Sequence, residues 1–280
     1  MLGRQPPFEF RDFNMQTDVV IVVGNVFHEF AHKTGAVTAG EVEALDRSTA
    51  HTGKRDIRLL FGQGVTTREA SVSLDRFHDV AEASNFGQIV SRAGGHLSHK
   101  HKDHNTLIGA PEEIAERVYS APLLIDERSE LMGDHQTGLH IQGMLQVEGF
   151  RQMMLAVFEK FFPLPSGIKA YAVINRMDVS FANFMFPLPA DIECTVTELD
   201  INDRRTRLAV TMRTLQNRQE CSSATLIFTF YPASVIAAKE SDMALKAIEL
   251  TRNDAAVSDL SAVGGILRSL PPREPALVAE

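Results

Sequence analysis

The chain has few cysteines, no long apolar run and fewer basic than acidic residues. Its two cysteines, Cys194 and Cys221, fit a reducing compartment and provide neither a disulfide framework nor a thiolate metal site. A bilayer span needs roughly 18 to 20 apolar residues, and no such run occurs, nor does the apolar core of a signal peptide. A formal net charge of −8 over 280 residues argues against nucleic acid as a partner. We therefore expect a cytoplasmic protein without membrane or nucleic-acid partners.

Residues 1–94 alternate between strand-like and helix-like segments, which predicts a small α/β unit of the βαβ type. The predicted strands cover 18–24, 56–62 and 87–91, and the predicted helices cover 25–33 and 67–84. The loop GQGVTT at 62–67 follows a predicted strand, so its N–H groups could cradle a phosphate. Docking of a carrier protein and plain structural support are the alternatives for this unit.

Residues 95–240 have a different pattern, in which one long helix precedes a series of strands. The helix is predicted over 143–162, because Pro163 and Pro165 stop it, and it carries a polar stripe at i, i+3 and i+4. Alternating apolar and polar residues then predict a series of strands, with turns at 202–203 and 217–218. This order predicts an α+β hotdog fold, an antiparallel sheet wrapped around a long central helix. Residues 241–280 are expected to form a C-terminal helix and a tail.

Two histidine motifs match metal-site patterns. HEFAH at 28–32 has the H-E-x-x-H spacing of zinc proteases, but Thr38 stands where a third ligand is expected. HKHKDH at 99–104 fits the H-x-H-x-D-H of metallo-β-lactamase-fold hydrolases, but it precedes its strand instead of following one. The first motif is better explained as the solvated face of a short helix. We predict no metal site and no cofactor.

The long helix carries a more specific resemblance. Residues 140–152, HIQGMLQVEGFRQ, resemble the H-x-x-G-M-x-x-x-E-x-x-R-Q signature of the A-factor biosynthesis hotdog family (AfsA-like proteins). SHKHKDHNTLIGAP resembles the opening of that family, and DVSFANFMFPL is similar to its post-helix strand. The matching positions are His99, Lys100, Asn105, Leu107, Ile108, His140, Gly143, Met144, Glu148, Arg151 and Gln152. The resemblance spans about 96–233. Full-length family members commonly carry two hotdog units, whereas 1–94 does not resemble one.

The resemblance implies transfer of a β-ketoacyl group from an acyl carrier protein or coenzyme A to a small hydroxyl acceptor such as dihydroxyacetone phosphate. Such a reaction belongs to butyrolactone-type signal or secondary-metabolite synthesis. The candidate catalytic residues are Glu148, His140, Arg151 and Gln152, and the candidate oxyanion or substrate-binding residues are Gly143, Met144 and His135.

Each candidate has a chemical reason. Free N–H groups near Gly143 and Met144 could stabilise an oxyanion. Burial is expected to raise the pKa of Glu148 and make it a base, and His140 is the rival base because imidazole titrates near neutrality. Arg151 is expected to pair with Glu148 or to hold an acceptor phosphate.

Other activities fit the same pattern. The alternatives are a hotdog thioesterase, a β-hydroxyacyl dehydratase, and a non-enzymatic acyl-thioester-binding or scaffold protein in which Glu148 and Arg151 form a structural ion pair. In each case we expect a homodimer, since a hotdog sheet leaves one edge open.

Overall fold

The structure is a computed structural model that describes residues 18–44, 57–77, 81–83, 85–133, 138–165 and 168–257. It has two parts, a small parallel sheet with short helices and a larger antiparallel sheet with one long helix. None of the helices within these ranges combines the length and apolarity that a bilayer crossing requires.

The first part is the α/β unit that the sequence predicts. Its four strands are all parallel and lie in the order β2-β1-β3-β4. The strands are β1 (Asp18–Val23), β2 (Val37–Thr38), β3 (Ile57–Phe61) and β4 (Ala81–Ala83). The helices are α1 (His28–Thr34), α2 (Ala39–Ala44), α3 (Thr67–Phe77) and α4 (Phe86–Val90).

Two local predictions in this region are wrong. Residues 87–91 are not a strand, because they fall largely within helix α4, where only Ile89 is buried and its neighbours face solvent. The predicted helix over 67–84 ends at Phe77, and β4 begins shortly after it. Just beyond this region, the sequence at 105–108 also predicts a strand, but the structure has only a 3-10 turn, Asp103–Asn105, and a single bridge from Ile108 to Leu123.

The second part is the predicted hotdog. Its six strands pair antiparallel in the order β5-β6-β8-β9-β10-β7. The strands are β5 (Glu112–Ala115), β6 (Val118–Leu123), β7 (Ala170–Phe181), β8 (Ala190–Asn202), β9 (Arg205–Gln216) and β10 (Gln219–Pro232). The helices are α5 (Gly95–Ser98), the long helix α6 (Gly143–Phe161) and the C-terminal α7 (Ala233–Val257).

The sheet encloses α6 because each central strand turns its apolar positions inward. The buried inward residues are Ile192, Cys194 and Val196 on β8, Leu208, Val210 and Met212 on β9, and Leu226, Phe228 and Phe230 on β10. They pack with Phe150, Met154 and Phe158 of α6 in one core. The turn between β9 and β10 has φ of 51° at Asn217 and 65° at Arg218, which the twist of a two-residue hairpin requires.

The two parts are joined through Gln63, which follows β3 and is 3% exposed. Its amide nitrogen donates to the carbonyl oxygens of Leu123 at 2.9 Å and Leu188 at 3.2 Å, and its amide oxygen accepts from the N–H of Ile125 at 2.8 Å. Gly62 allows this approach, since a Cβ atom there would lie 2.1 Å from the carbonyl oxygen of Pro187. The α/β unit is therefore hydrogen-bonded to the hotdog through buried backbone groups.

We predict that Gln63→Leu lowers the free energy of unfolding by about 2 to 3 kcal/mol, because it leaves buried backbone groups of Leu123 and Ile125 without partners. Denaturant titration followed by circular dichroism measures this change. Gln88→Leu, at an exposed position on α4, is the matched control and should change stability by less than about 0.5 kcal/mol. Equal stabilities for the two variants would contradict the role given to Gln63.

Candidate active site

A cleft of about 490 Å³ opens at the N-terminus of α6. One wall comes from the residues around the helix start, and the other comes from the segment that follows β7. The lining residues are His140, Ile141, Gly143 and Gln146 on the first wall and residues 181–185 on the second. Two of these lining groups, Phe181 and Phe184, expose 54% and 71% of their surface, so the cleft has an apolar mouth.

The start of α6 has no side-chain cap. Gln142 occupies the N-cap position without making a capping hydrogen bond, and its amide donates to the carbonyl oxygen of Leu131 instead. The first N–H groups of a helix have no partners within the helix, and they carry the positive end of its dipole. The backbone at Gly143 and Met144 can therefore donate to an oxyanion in the cleft.

Gly143 lies directly against the ring of Phe181. A Cβ atom there would lie 2.9 Å from Cζ of Phe181, so the ring rests where any other side chain would begin. Met144 differs, because it is 63% exposed. Both residues lie where the sequence places them, at the first turn of the long helix.

His140 stands at the edge of the cleft. Its ring is half-buried, and its centroid lies 4.9 Å from that of Phe184 at an interplanar angle of 59°. The contact holds the imidazole next to the helix start, where it can reach a group bound in the cleft. His135, the other histidine predicted for substrate binding, lies outside the described residues.

Glu148 is the centre of a charged network. Its two oxygens accept from Nε and a terminal nitrogen of Arg151, each at 2.8 Å, in a bidentate pair. Lys100 Nζ lies 2.8 Å from Oε1 of the same carboxylate, and the Gln152 amide donates to it at 3.0 Å. The ion-pair alternative for Arg151 is the arrangement observed. We call Lys100, Glu148, Arg151 and Gln152 the Glu148 network.

The expectation that burial raises the pKa of Glu148 is wrong. Burial alone would raise it, but the hydrogen bonds from Arg151, Lys100 and Gln152 outweigh desolvation and lower the pKa from 4.5 to about 2. A carboxylate with such a pKa stays ionised at neutral pH and is a poor proton acceptor. The sequence showed the burial and one partner, but not that Lys100 arrives from another segment.

The Glu148 network and the cleft lie on opposite faces of α6. Gly143 and Gln152 are nine residues apart, which is about two and a half turns at 3.6 residues per turn. Accordingly Gly143 meets the ring of Phe181, whereas Gln152 bonds the backbone of Asn105 and Leu107, both at 2.8 Å. The residues that match the family signature therefore form two groups and not a single constellation.

The network attaches the segment 99–107 to the helix. Gln152 accepts from the Leu107 N–H and donates to the Asn105 carbonyl, so one amide satisfies two buried backbone groups. Nε2 of His99 adds a hydrogen bond with Glu159 at 2.8 Å, two turns further along α6. Of the other two histidines of HKHKDH, His101 is exposed and His104 is half-buried.

The remaining sequence motifs have structural roles. In HEFAH, His28 and His32 are exposed on α1, while Phe30 and Ala31 of the same helix are buried, so this is a solvated helix face. Within the described residues no group of three potential ligands from His, Cys, Asp and Glu comes together.

Most N–H groups of the loop 62–67 are already bonded within the protein, which does not favour the phosphate-cradle hypothesis. Three of these N–H groups donate to protein carbonyls, at 2.7 Å from Gly62 to Val22, 3.1 Å from Gln63 to Pro187 and 2.8 Å from Gly64 to Ile125. No orphan donors of the kind that bind phosphate remain at these positions. The loop contributes to the contact with the hotdog.

One buried polar residue of the cleft was not predicted from the sequence. Gln146 lines the cleft, is 3% exposed, and accepts a 2.6 Å hydrogen bond from the hydroxyl of Ser222. Its spacing of i+3 from Gly143 was a readable signal, because three residues along a helix return to nearly the same face. Ser222 carried no such signal, since its contact depends on the register of β10.

Comparison with known proteins gives a family. The model of the A-factor biosynthesis hotdog domain matches residues 82–232. A comparison with curated proteins gave no significant match.

Solved structures with a similar chain path include three from bacteria. A conserved protein of Pseudomonas aeruginosa is 13% identical with a TM-score of 0.32, over 43% of this chain and 86% of that one. A mutant thioesterase of the same organism is 13% identical with a TM-score of 0.36, over 48% and 89%. A thioesterase of Haemophilus influenzae is 12% identical with a TM-score of 0.33, over 46% and 80%.

We predict that Glu148→Gln destabilises the fold in a pH-dependent way. The folded pKa of about 2 lies below the usual 4.5, so the stabilisation is complete above about pH 4.5 and disappears as the pH falls towards 2. The difference between these two pKa values corresponds to a stabilisation of the folded state on the order of 3 kcal/mol at neutral pH. Denaturant titrations of both proteins across this pH range measure the difference.

The matched control is Glu193→Gln, which removes a partner of Arg213 at 2.6 Å on the outer face of the sheet. That pair is largely solvated and should contribute less than about 1 kcal/mol. If the difference between wild type and Glu148→Gln is as large near pH 2 as at neutral pH, the linkage argument fails.

Proposed function

Because the chain belongs to the A-factor biosynthesis hotdog family, we propose that it is an acyltransferase that acts on acyl thioesters. It moves a β-ketoacyl group from an acyl carrier protein or coenzyme A to a small hydroxyl acceptor such as dihydroxyacetone phosphate. The product would enter butyrolactone-type signal or secondary-metabolite synthesis. The observation that carries the proposal is the cleft at the uncapped start of α6, with His140 at its edge.

The cleft offers the groups that acyl transfer needs. His140 takes the proton of the acceptor hydroxyl while the oxygen of that hydroxyl attacks the carbonyl carbon of the thioester. The N–H groups of Gly143 and Met144 stabilise the negative oxygen of the tetrahedral intermediate. As this intermediate collapses, the new C–O bond remains, the C–S bond breaks, and His140 returns the proton to the leaving thiol. The apolar walls of the cleft, Phe181 and Phe184, accept the acyl chain.

In this mechanism Glu148 is not the base. Its pKa of about 2 and its three donors keep it ionised and occupied, so it fixes the helix and the segment 99–107 around the site. The same property disfavours a dehydratase, because a helix carboxyl that donates a proton needs a raised pKa. We assign Glu148, Arg151 and Gln152 to positioning.

We further propose a homodimer formed along β7. This strand pairs only with β10 among the described strands, so its other edge presents twelve residues of unpaired backbone. The strand also exposes Tyr171 by 42%, Ile174 by 48% and Phe181 by 54%. Since β7 ends at the cleft, a second copy paired along it would cover the open mouth. Free and buried, Cys194 and Cys221 fit the reducing cytoplasm in which we place the reaction.

We predict that His140→Asn lowers kcat for acyl transfer by about 100-fold or more, because it removes the general base. Glu148→Gln, assayed below its melting temperature, should lose less than about tenfold, because an ionised carboxylate is not the base. Intact-mass and product analysis with β-ketoacyl thioesters, with and without dihydroxyacetone phosphate, measures ester formation. EDTA in a parallel sample tests the histidine motifs at 28–32 and 99–104.

Each other result reassigns the reaction. Release of free acid without acceptor would make the protein a thioesterase, and loss of water from a β-hydroxyacyl thioester would make it a dehydratase. A larger loss for Glu148→Gln than for His140→Asn would return the role of base to Glu148. Binding without turnover would favour the scaffold alternative.

We predict that Ile174→Lys on β7 shifts the protein from dimer to monomer, because the substitution brings like charges together at the paired edges. Sedimentation velocity over a range of protein concentrations measures the shift. The matched control is Ile201→Lys, which alters an isoleucine that is 60% exposed on β8, away from the edge. A monomeric wild type, or an equal effect of both substitutions, would refute the β7 interface.

A further inference from the structure

The core next to the cleft contains a few polar side chains, although it is otherwise apolar. Gln146 is 3% exposed, and Ser222 and Thr214 are fully buried at 0%. Their inward-facing neighbours on the same strands, Met212 and Ala224, are apolar. Buried polar side chains in such a setting are normally fully hydrogen-bonded, and each exception asks for an explanation.

The side-chain amide of Gln146 has a hydrogen-bond partner for its oxygen but none for its nitrogen among the described residues. Its amide oxygen accepts a hydrogen bond from the Ser222 hydroxyl at 2.6 Å, on the side of the core. Its amide nitrogen has no acceptor among the described residues. Because Gln146 lines the cleft and its oxygen is held by Ser222, the N–H groups are the end that a bound molecule meets.

Thr214 gives a second, independent sign of unused hydrogen-bonding capacity. It lies opposite Ser222 in the β9–β10 pairing, so the two side chains are neighbours on the inner face. Its hydroxyl oxygen is buried and has no hydrogen-bond partner within the described part of the chain. Ser222 therefore has two neighbours with unused hydrogen-bonding capacity, the amide nitrogen of Gln146 and the hydroxyl of Thr214.

The donors of the cleft are arranged in two levels. The N–H groups at Gly143 lie at the helix start, and Gln146 follows one turn later on nearly the same face. Three residues advance the helix by about 4.5 Å. A β-ketoacyl thioester carries two carbonyl oxygens, on carbons separated by one methylene group. A simple acyl thioester carries one.

We propose that Gln146 is the residue that selects β-keto substrates, with its amide donating to the keto oxygen while the start of α6 holds the thioester oxygen. This inference rests on the proposed acyl-thioester function and names a specificity residue for it. Ser222 keeps the amide in the required orientation. A plain acyl chain leaves the amide donors unpaired, and a site built to hydrogen-bond a substrate group discriminates against the analogue that lacks it.

The test compares the binding of β-ketooctanoyl-CoA and octanoyl-CoA, which differ only in the keto oxygen, by titration calorimetry without acceptor. Wild type should prefer the β-keto compound by about tenfold, the value of one hydrogen bond to a neutral group. Gln146→Met keeps the size of the side chain but removes its donors, so it should abolish the preference and leave the affinity for octanoyl-CoA unchanged. Gln146→Glu keeps the acceptor for Ser222 and should also lose the preference.

The matched control is Gln142→Met, whose amide bonds Leu131 rather than facing the cleft, and which should keep the preference. Melting curves of all variants separate binding effects from unfolding. If wild type binds both compounds equally, or Gln146→Met and Gln146→Glu keep the preference, the selection role is refuted while the proposed function stands. If wild type binds neither compound, whether as the coenzyme A thioester or as the acyl-carrier-protein thioester, the proposed function itself fails, and the role of Gln146 fails with it.

Discussion

Because α6 is buried inside the hotdog sheet, the polar groups on that helix need hydrogen-bond partners within the protein. Phe150 and Phe158 are fully enclosed, and so is Gln152 at 0% exposure. A buried amide or carboxylate is costly unless its partners come with it. Gln152 finds them in the backbone of Asn105 and Leu107, which means that the segment before β5 has to lie against the helix. The path of residues 99–107 thus follows from one buried side chain.

The α/β unit is also positioned by the hydrogen bonds of one buried side chain, that of Gln63. In open parallel sheets, ligands commonly bind beyond the carboxyl ends of the strands where the strand order reverses. Here β1 and β3 are the neighbours at that reversal, and the loop after β3 sends Gln63 into the hotdog. The position at which such a sheet often holds a ligand is therefore filled by protein backbone. At this reversal the α/β unit is hydrogen-bonded to the hotdog.

Patterns that depend on neighbouring residues were predictable from the sequence. The bounds of α6 follow from its apolar run and from Pro163, and the alternation on β8 to β10 fixed which residues face inward. The segment 87–91 was mistaken for a strand because five residues are too few to separate a helical from an alternating pattern. The environment of Glu148 was only partly predictable, because Arg151 and Gln152 are neighbours on the helix whereas Lys100 lies far away in the chain. The hydrogen bonds from all three together reverse the direction of the pKa change. The pKa of such a buried group depends on long-range contacts and not on local propensity alone.

The two polar faces of α6 differ in how completely their polar groups are hydrogen-bonded. On one face every oxygen of Glu148 and both ends of the Gln152 amide have partners, so these groups are fixed and chemically quiet. On the other face the helix start is uncapped and Gln146 has partners for only one end of its amide. Groups with spare hydrogen-bonding capacity in an open cleft can change partners during a reaction, whereas satisfied groups cannot do so without loss of stability. The resemblance is therefore carried largely by the satisfied face, whereas the chemistry that we propose depends on the face that the signature touches only at His140, Gly143 and Met144.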